Sequence, residues 1–232
     1  MAHGHTVLFI TNRGLRHQQD ALQAAPPELV VTMLRQPPRS EILLGLREAE
    51  FLISERSGEI DAEMIAAGGK LRLIQRLGSL THDIDLEAAR SAGVPVSAWP
   101  VHVAVMVAEH MVMQMLALAR RLKETAAIAN EAGDWDQPSR RTDEDVFAYD
   151  WSAREKIGEI SGQTVGILGF GEIGAELARR LRAFAPARLL YHKRSRLPER
   201  AEEELGLDYA PRRRLLAESD FVCNLLPYSP QT

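Results

Sequence analysis

Cysteine is nearly absent from this sequence, since Cys223 is the only one among 232 residues. A single cysteine excludes an internal disulfide, and the apolar segment around it, residues 221–226, predicts a buried strand thiol. The sequence also lacks an excess of basic residues, because 28 Lys and Arg stand against 32 Asp and Glu, which gives a formal net charge of −4. A mildly acidic chain has no basic face that neutralises phosphates, so we do not expect a nucleic-acid partner.

The amino-terminal sequence lacks the basic region and apolar core of a secretory signal, and we expect a cytoplasmic protein. An apolar stretch over residues 101–119 is interrupted by His102, Glu109, His110 and Gln114. A membrane span needs about 20 mostly apolar residues with few polar breaks. We therefore predict a soluble helix here, with its methionines in the core, and no membrane partner.

Hydrophobic residues make up 45% of the sequence, which is enough for a buried core. In the first hundred residues, apolar runs typical of buried strands alternate with helix-like segments. The predicted strands are 7–10, 29–34, 51–54, 71–75 and 94–97, and the predicted helices are 16–24, 39–47, 61–67 and 85–91. Gly68 and Gly93 follow helices, where left-handed caps are expected. Strands alternating with helices predict a parallel sheet covered on both faces.

The sequence predicts a long helix over residues 101–130 and a polar connector over 131–160. A second alternation follows, with strands at 164–168, 188–191, 207–209 and 220–225 and helices at 171–184, 198–205 and 212–218. We therefore predict an α/β fold with two Rossmann-like or flavodoxin-like, doubly wound parallel-sheet domains joined by a long helix. The first domain spans 1–100, and the second, 161–232, is expected to be incomplete.

A glycine-rich turn lies between the strand predicted at 164–168 and the helix after it. It reads Gly169, Phe170, Gly171, Glu172, Ile173 and Gly174, which is the Gly-x-Gly-x-x-Gly spacing of dinucleotide-binding turns. Gly169 permits a tight turn, Gly171 lets the backbone approach a pyrophosphate, and Gly174 lets the helix pack closely on the strand. The helix then presents unpaired N–H groups to the anion. This context favours a nicotinamide dinucleotide over a glycine-rich turn without a ligand.

The type of dinucleotide is predicted from the end of the strand at 188–191, where NAD-binding proteins carry Asp or Glu for the ribose. No acid is present there, and the segment continues as His192, Lys193, Arg194, Ser195 and Arg196. Cations and a hydroxyl suit the 2′-phosphate of NADP through charge-assisted hydrogen bonds. We predict NADP(H), with NAD possible, and a solvated basic loop is the alternative.

Four blocks together resemble the D-isomer-specific 2-hydroxy acid dehydrogenases over nearly the whole chain. Residues 75–85 resemble the substrate-loop block R-x-G-x-G-x-D-N-x-D, and residues 107–110 resemble the V-A-E-H helix between the domains. Residues 162–174 resemble the G-x-T-x-G-I-x-G-x-G-x-I-G fingerprint, and residues 226–232 resemble the P-L-T-P-E-T block beside the nicotinamide. The basic segment at 193–196 is most similar to that of NADP-using glyoxylate and hydroxypyruvate reductases.

The resemblance implies an NAD(P)-dependent oxidoreductase that transfers hydride between the nicotinamide and a small 2-hydroxy or 2-oxo acid. It makes residues 1–100 the substrate domain, in which the backbone N–H groups of a loop bind the substrate carboxylate, the loop being Leu77, Gly78, Ser79 and Leu80. It makes residues 161–232 the dinucleotide domain, with the nicotinamide beside Leu226, Pro227 and Thr232. Leu80 and His82 depart from the Gly and Asp of the family pattern. A homodimer through the 101–130 helix is also implied.

The family's catalytic Arg, Glu and His follow the last block, and this sequence ends with that block at Thr232. We therefore predict no catalytic residue in the chain and expect a fragment that is inactive by itself. His82, His102 and His110 fit a loop, core or interface position better than catalysis. The alternative is a non-catalytic dinucleotide-sensing or corepressor-like binding protein, because one fold serves both functions.

Three further polar groups in the sequence do not predict a site. His3 and His5 fit a mobile tail better than a metal site. The acidic residues 143–145 fit a soluble connector, and the arginines at 212–214 fit a solvated helix face. We therefore expect no bound metal.

Overall fold

Five strands and four helices alternate in the amino-terminal part of the protein. The structure is a computed structural model that describes residues 4–55, 58–131 and 156–228. The strands are β1 His5–Thr11, β2 Leu29–Arg35, β3 Phe51–Glu55, β4 Leu73–Leu77 and β5 Val96–Trp99; the helices are α1 Leu15–Ala24, α2 Arg39–Leu46, α3 Ala62–Ala67 and α4 Leu86–Ser91. All strand pairs are parallel, in the order β2-β1-β3-β4-β5. The predicted parallel α/β sheet is confirmed.

The core of this sheet follows from the apolar side chains that share a row across it. Leu8 pairs in register with Leu52, and Leu52 pairs with Ile74, and all three are at most 1% exposed. Full burial of each such side chain contributes about 1.5–3 kcal/mol. Asp61 and Asp85 cap α3 and α4, because their carboxylates accept hydrogen bonds from backbone N–H groups three residues later.

Two glycines after helices behave differently. Gly93 has φ +70°, so the left-handed cap predicted there is confirmed. Gly68 has φ −86° and ψ 58°, so the cap predicted there is wrong. A Cβ on Gly68 would lie 2.3 Å from Cδ1 of Leu71, which shows that glycine serves close packing at this position.

The long helix predicted over 101–130 is two helices, α5 His102–Ala119 and α6 Leu122–Glu131. Arg121 breaks it with φ 51°, and its N–H donates to the carbonyl of Leu118. The sequence carries no glycine or proline at this break, so periodicity alone continues through it. By length and composition α5 is apolar enough to cross a membrane; one such helix is weak evidence, since core helices of soluble proteins pass the same test.

The second sheet has four strands. These are β6 Thr164–Leu168, β7 Arg188–His192, β8 Asp208–Tyr209 and β9 Phe221–Asn224, and the helices are α7 Glu172–Leu181, α8 Glu199–Leu205 and α9 Arg212–Glu218. All pairs are parallel, in the order β8-β7-β6-β9. The helix predicted over 171–184 ends at Leu181 and continues as one 3-10 turn, Arg182–Phe184, before Ala185 with φ 48°.

The chain divides into two compact units. The first comprises Met1–Val105 with Gly171–Glu176 and Leu197–Glu204, and it contains the five-stranded sheet. The second comprises Met106–Phe170, Leu177–Arg196 and Leu205–Thr232, and it contains the four-stranded sheet. The functional domain limits at 100, 130 and 160 stay predictions.

Candidate functional site

The turn after β6 has the conformation that its first glycine was predicted to allow. Gly169 has φ +85°, and its N–H donates to the carbonyl of His192 at 2.9 Å. A Cβ at this position would lie 2.9 Å from the backbone N of Leu226 and 3.0 Å from the carbonyl carbon of Leu225. Any other residue would meet both the left-handed penalty and a backbone clash, so the turn requires glycine here.

The second glycine of the turn faces open space. Gly171 is exposed, and apart from its chain neighbours no heavy atom of the described residues lies within 4 Å of the place where a Cβ would be. Its carbonyl accepts the first hydrogen bond of α7, from the N–H of Ala175 at 2.9 Å. The N–H groups of the first turn of α7 have no carbonyl partner within the helix, as at any helix start. The residues present therefore fit a diphosphate at this turn.

Two other positions hold the strand before the turn. Phe170 is buried, and its ring centroid lies 5.1 Å from that of Tyr191 on β7. A Cβ on Gly166 would lie 2.3 Å from Oγ of Ser219 and 2.6 Å from Cδ2 of Leu215. Gly166 therefore lets α9 approach β6 closely. This role was not predicted from the sequence, although Gly166 is a fixed position of the fingerprint.

The basic segment 192–196 begins at the last residue of β7. His192 is partly buried, and its Nδ1 lies 3.0 Å from the carbonyl oxygen of Ala210. Arg194 and Ser195 are exposed, whereas Lys193 is partly buried. The Arg196 guanidinium carbon lies 5.8 Å from the ring centroid of Tyr209, within the range of a cation–π contact. The segment therefore offers cationic and hydroxyl donors at the carboxyl end of β7.

The carboxyl end of β9 lies beside the glycine turn. The N–H of Leu225 donates to the carbonyl of Leu168 at 2.8 Å, and the N–H of Leu226 donates to Oδ1 of Asn224 at 3.2 Å. The close approach of Leu226 to Gly169 brings two of the predicted cofactor segments together. Pro227 is exposed, and Thr232 lies outside the described residues.

The predicted substrate loop follows β4. Gly78 and Leu80 are buried, and Leu77 and Ser79 are partly buried. The N–H of Ser79 donates to the Glu172 carboxylate and its hydroxyl donates to Glu176, both of which belong to the same compact unit. The Glu172 carboxylate thus accepts a hydrogen bond from the Ser79 amide. The family resemblance assigned this amide to the carboxylate of the substrate.

An ion pair between Arg76 and Asp83, which was not predicted from the sequence, fixes both ends of this loop. Arg76 is fully buried, and its Nη2 donates to Oδ1 of Asp83 at 2.8 Å and to the carbonyl of Gly58 at 3.1 Å. Oδ2 of Asp83 accepts the N–H of Gly58 at 2.7 Å. Among the residues that the structure describes, none forms a hydrogen bond with the Nε of Arg76. An arginine inside a strand followed seven residues later by Asp is a weak signal, because such charges usually face solvent.

Metal chemistry has no support from the described part of the chain. Within residues 4–55, 58–131 and 156–228, no group of three or more His, Cys, Asp or Glu could hold a metal ion. Residues 3 and 143–145, considered above as possible metal ligands, lie outside these ranges. His5 is the first residue of β1, so its predicted place in a mobile tail is wrong. Cys223 lies on β9 and is buried, so the predicted buried strand thiol is confirmed. This burial raises the pKa of its thiol to about 11.

A parallel sheet with a glycine turn between a strand and a helix defines a nucleotide-binding α/β unit of the Rossmann type. Comparison with protein families matches residues 112–232 to the family described as D-isomer specific 2-hydroxyacid dehydrogenase, NAD binding domain. Since this match covers more than half of the chain, the chain belongs to that family.

The chain is also similar to individual proteins over most of its length. The chain is 36% identical over 199 residues to a glyoxylate reductase of Thermococcus kodakarensis, which covers 85% of this chain and 56% of the relative. It is 30% identical over 215 residues to a D-3-phosphoglycerate dehydrogenase of Mycobacterium leprae, covering 92% of this chain and 37% of the relative. A solved structure of a protein from Pyrococcus horikoshii OT3 is 25% identical with a TM-score of 0.49, and the match covers 98% of this chain and 64% of that protein's chain. The chain spans about half the length of the glyoxylate reductases that it matches.

Proposed function

We propose that this protein uses NADP(H) to interconvert a small 2-oxo acid and the corresponding 2-hydroxy acid. The open space at Gly171 at the start of α7 carries the dinucleotide part of this proposal. Family membership supports the oxidoreductase part, and relatives named glyoxylate reductase support a small 2-oxo acid as substrate. The dinucleotide supplies a hydride when bound, and the residues of this chain bind and orient it.

The preference for NADP over NAD rests on the charge at the end of β7. Arg194 and Ser195 are exposed, and residues 191–196 contain no carboxylate that would repel a 2′-phosphate. A charge-assisted hydrogen bond contributes about 1.5–3 kcal/mol, which is roughly a tenfold to hundredfold change in affinity. We therefore assign the 2′-phosphate to this segment.

Calorimetric titration of the 232-residue chain tests this assignment. NADPH should bind at least about tenfold more tightly than NADH, and Arg194→Ala should remove most of that difference while leaving NADH affinity unchanged. Arg213→Ala is the matched control, because Arg213 is an exposed arginine on α9. An equal affinity of the parent chain for both coenzymes contradicts the NADP proposal, and no binding at millimolar coenzyme contradicts the dinucleotide proposal.

The substrate part of the proposal places the 2-oxo acid at residues 77–80. The Ser79 N–H already donates to a carboxylate, so the amide is oriented for an anion. Glu172 would have to give up this hydrogen bond to the substrate.

A non-catalytic dinucleotide sensor is the second candidate function. Both functions require the turn at Gly169–Gly174, so coenzyme binding does not distinguish them. The reading frame that encodes the chain does distinguish them. Codons after Thr232 that specify Arg, Glu and a His in the family order support the enzyme, and a stop codon supports the sensor.

A further inference from the structure

The first sheet has a topological switch point between β1 and β3. From β1 the chain runs outward to β2 and then returns to β3 on the other side of β1. In parallel α/β sheets, ligands bind in the crevice outside the carboxyl ends of the strands at such a point. Thr11 and Glu55 are the last residues of β1 and β3 and therefore line this crevice.

A buried carboxylate occupies the crevice, and both of its oxygens are engaged. Glu55 is 6% exposed, and its Oε2 accepts a hydrogen bond from the Thr11 hydroxyl. Its Oε1 accepts a hydrogen bond from Nε of Arg13 at 3.2 Å and lies 3.2 Å from Nε2 of His17. Glu55 therefore serves as an anchor that orients a guanidinium and an imidazole.

Arg13 is fixed through its backbone as well as its side chain. Its N–H donates to Oγ1 of Thr11 at 3.0 Å, and its carbonyl accepts a hydrogen bond from Nε2 of Gln18 at 2.9 Å. Only its Nε contacts Glu55, and neither Nη atom has a hydrogen-bond partner in the described part of the chain. The Arg13 side chain is 38% exposed and the His17 side chain 46% exposed. The two-nitrogen end of the guanidinium is therefore available to a planar anion.

The crevice lies close to the substrate loop of the same unit. Glu55 pairs in register with Leu77, the first residue of that loop. Neighbouring strands are about 4.8 Å apart, so the cluster on Glu55 and the loop amides are separated by roughly one or two strand spacings. A single small molecule with an anionic group at each end of a short carbon chain can contact the cluster on Glu55 and the loop amides at the same time.

We propose that Arg13 and His17, oriented by Glu55, bind a second anionic group of the substrate, a carboxylate or a phosphate. The inference rests on the proposed function, because it assigns the first carboxylate to residues 77–80. It narrows the substrate class from any small 2-oxo acid to 2-oxo acids that carry an anion at the far end. Arg13 would accept this group through its two Nη atoms while its Nε stays on Glu55.

Nuclear magnetic resonance titration of the isotope-labelled chain tests this proposal. The probes are pyruvate, 2-oxoglutarate and phosphohydroxypyruvate, and the signals are the amides of Gly78–Leu80 with the side chains of Arg13 and His17. We expect 2-oxoglutarate and phosphohydroxypyruvate, called dianionic here because each carries two anionic groups, to bind at least about tenfold more tightly than pyruvate. The better of the two identifies the distal group as carboxylate or phosphate.

Arg13→Gln should bring the dianionic acids down to the affinity of pyruvate without changing pyruvate binding. Arg16→Gln is the matched control, because Arg16 is an exposed arginine on α1 with no ion pair in the part of the chain described here. If Arg13→Gln unfolds the chain, His17→Gln on an exposed side chain replaces it, with a smaller loss expected. Equal affinity of the parent chain for all three acids, or a preference that is undiminished in a folded Arg13→Gln or His17→Gln chain, overturns the proposal.

The same titration separates this inference from the proposed function. If pyruvate shifts the amides of Gly78–Leu80 but the dianionic acids bind no more tightly, the substrate loop stands and the second anion site fails. If no acid shifts those amides, the proposed function fails at the loop. Shifts confined to Arg13 and His17 in that case support the anion site by itself.

Discussion

Gly169 and Gly171 are two residues apart in the same turn, yet their surroundings differ. At Gly169 the backbone is left-handed and an added Cβ meets the backbone of Leu226, whereas at Gly171 an added Cβ meets nothing within 4 Å. The fold therefore requires the first glycine, whereas the second leaves open the space that the proposed diphosphate would occupy. Alanine at each position separates these requirements.

Gly171→Ala should leave stability within about 1 kcal/mol of the parent and weaken NADPH binding by about tenfold or more, because the methyl group occupies the space of the diphosphate. Gly169→Ala should destabilise the protein by about 1–3 kcal/mol through strain and the backbone clash. Urea unfolding gives the stabilities and calorimetry gives the affinities. Unchanged NADPH affinity in Gly171→Ala would remove the diphosphate from this turn.

The buried pair Arg76–Asp83 gives a second prediction at this scale. Asp83→Ala leaves the Arg76 guanidinium buried without its carboxylate, and such a loss costs about 3–5 kcal/mol. Replacing both residues by leucine should recover most of that stability. Glu87→Ala is the control, since Glu87 and Arg90 form an exposed pair whose loss costs at most about 1 kcal/mol. Equal destabilisation of Asp83→Ala and Glu87→Ala in urea would contradict the assignment.

Glu50 gives a pH dependence. Its hydrogen bonds to the His5 ring and to the Thr6 N–H hold the pKa of this carboxyl below its ordinary value of 4.5. Because the folded pKa is the lower one, the stabilisation is complete above the unfolded pKa and is lost as pH falls through the folded pKa. Acid unfolding of Glu50→Gln below pH 4.5 should therefore be less steep than that of the parent. Identical slopes in both proteins would show that Glu50 gains nothing from these contacts.

At the scale of the element, the sequence predicts whether a helix or a strand is present better than it predicts the first and last residues of that element. The strands at β1, β2, β3 and β6 lie within a few residues of their predicted ranges, because alternating helices and apolar runs are strong local signals. The break at Arg121 has no such signal, since a left-handed arginine is chosen by packing and not by composition. The ends of helices are therefore where the prediction fails.

The candidate site likewise contains one part that the sequence predicts and other parts that it does not. The glycine turn was predictable because it needs a rare residue at fixed spacing, and its backbone confirms the role of Gly169. The Arg76–Asp83 pair was missed because an arginine inside a strand usually faces solvent. The cluster on Glu55 was missed because it joins residues at the ends of β1 and β3, which only the pairing of these strands brings together.

The end of α7 gives a prediction for one element. Ala185 follows the 3-10 turn with φ 48°, a conformation that favours glycine. Ala185→Gly should stabilise the protein by about 0.5–1 kcal/mol, and Ala183→Gly, inside the turn, should destabilise it by a similar amount. Thermal unfolding compares the two variants, which differ only in position. A lower melting temperature for Ala185→Gly would contradict the left-handed assignment.

At the scale of the whole molecule, α5 leaves apolar side chains uncovered. Met106 follows Val103 by three residues and Met113 follows Met106 by seven, and these side chains are 52–61% exposed. The prediction that the methionines of this helix lie in the core is therefore wrong for Met106 and Met113. Side chains at such spacings share a face of a helix. We propose that this face forms the homodimer implied by the family resemblance, since large exposed apolar patches mark interfaces.

Sedimentation of the purified chain checks the dimer. The parent should sediment as a dimer at micromolar concentration, and Met106→Lys should shift it to a monomer because the interface cannot bury an unpaired charge. Leu44→Lys on α2 is the control, since Leu44 is a comparably exposed apolar residue on another helix. A monomeric parent, or a dimer that survives Met106→Lys, would place the interface elsewhere.

The contact between Gly169 and Leu226 links two segments that are far apart in the chain. An added Cβ at Gly169 would lie 2.9 Å from the backbone N of Leu226, so the glycine turn and the segment that leaves β9 pack closely. An inserted residue just before Leu226 would therefore distort the glycine turn even with every glycine intact. Any redesign of one of these segments should treat the two as one loop and graft them together.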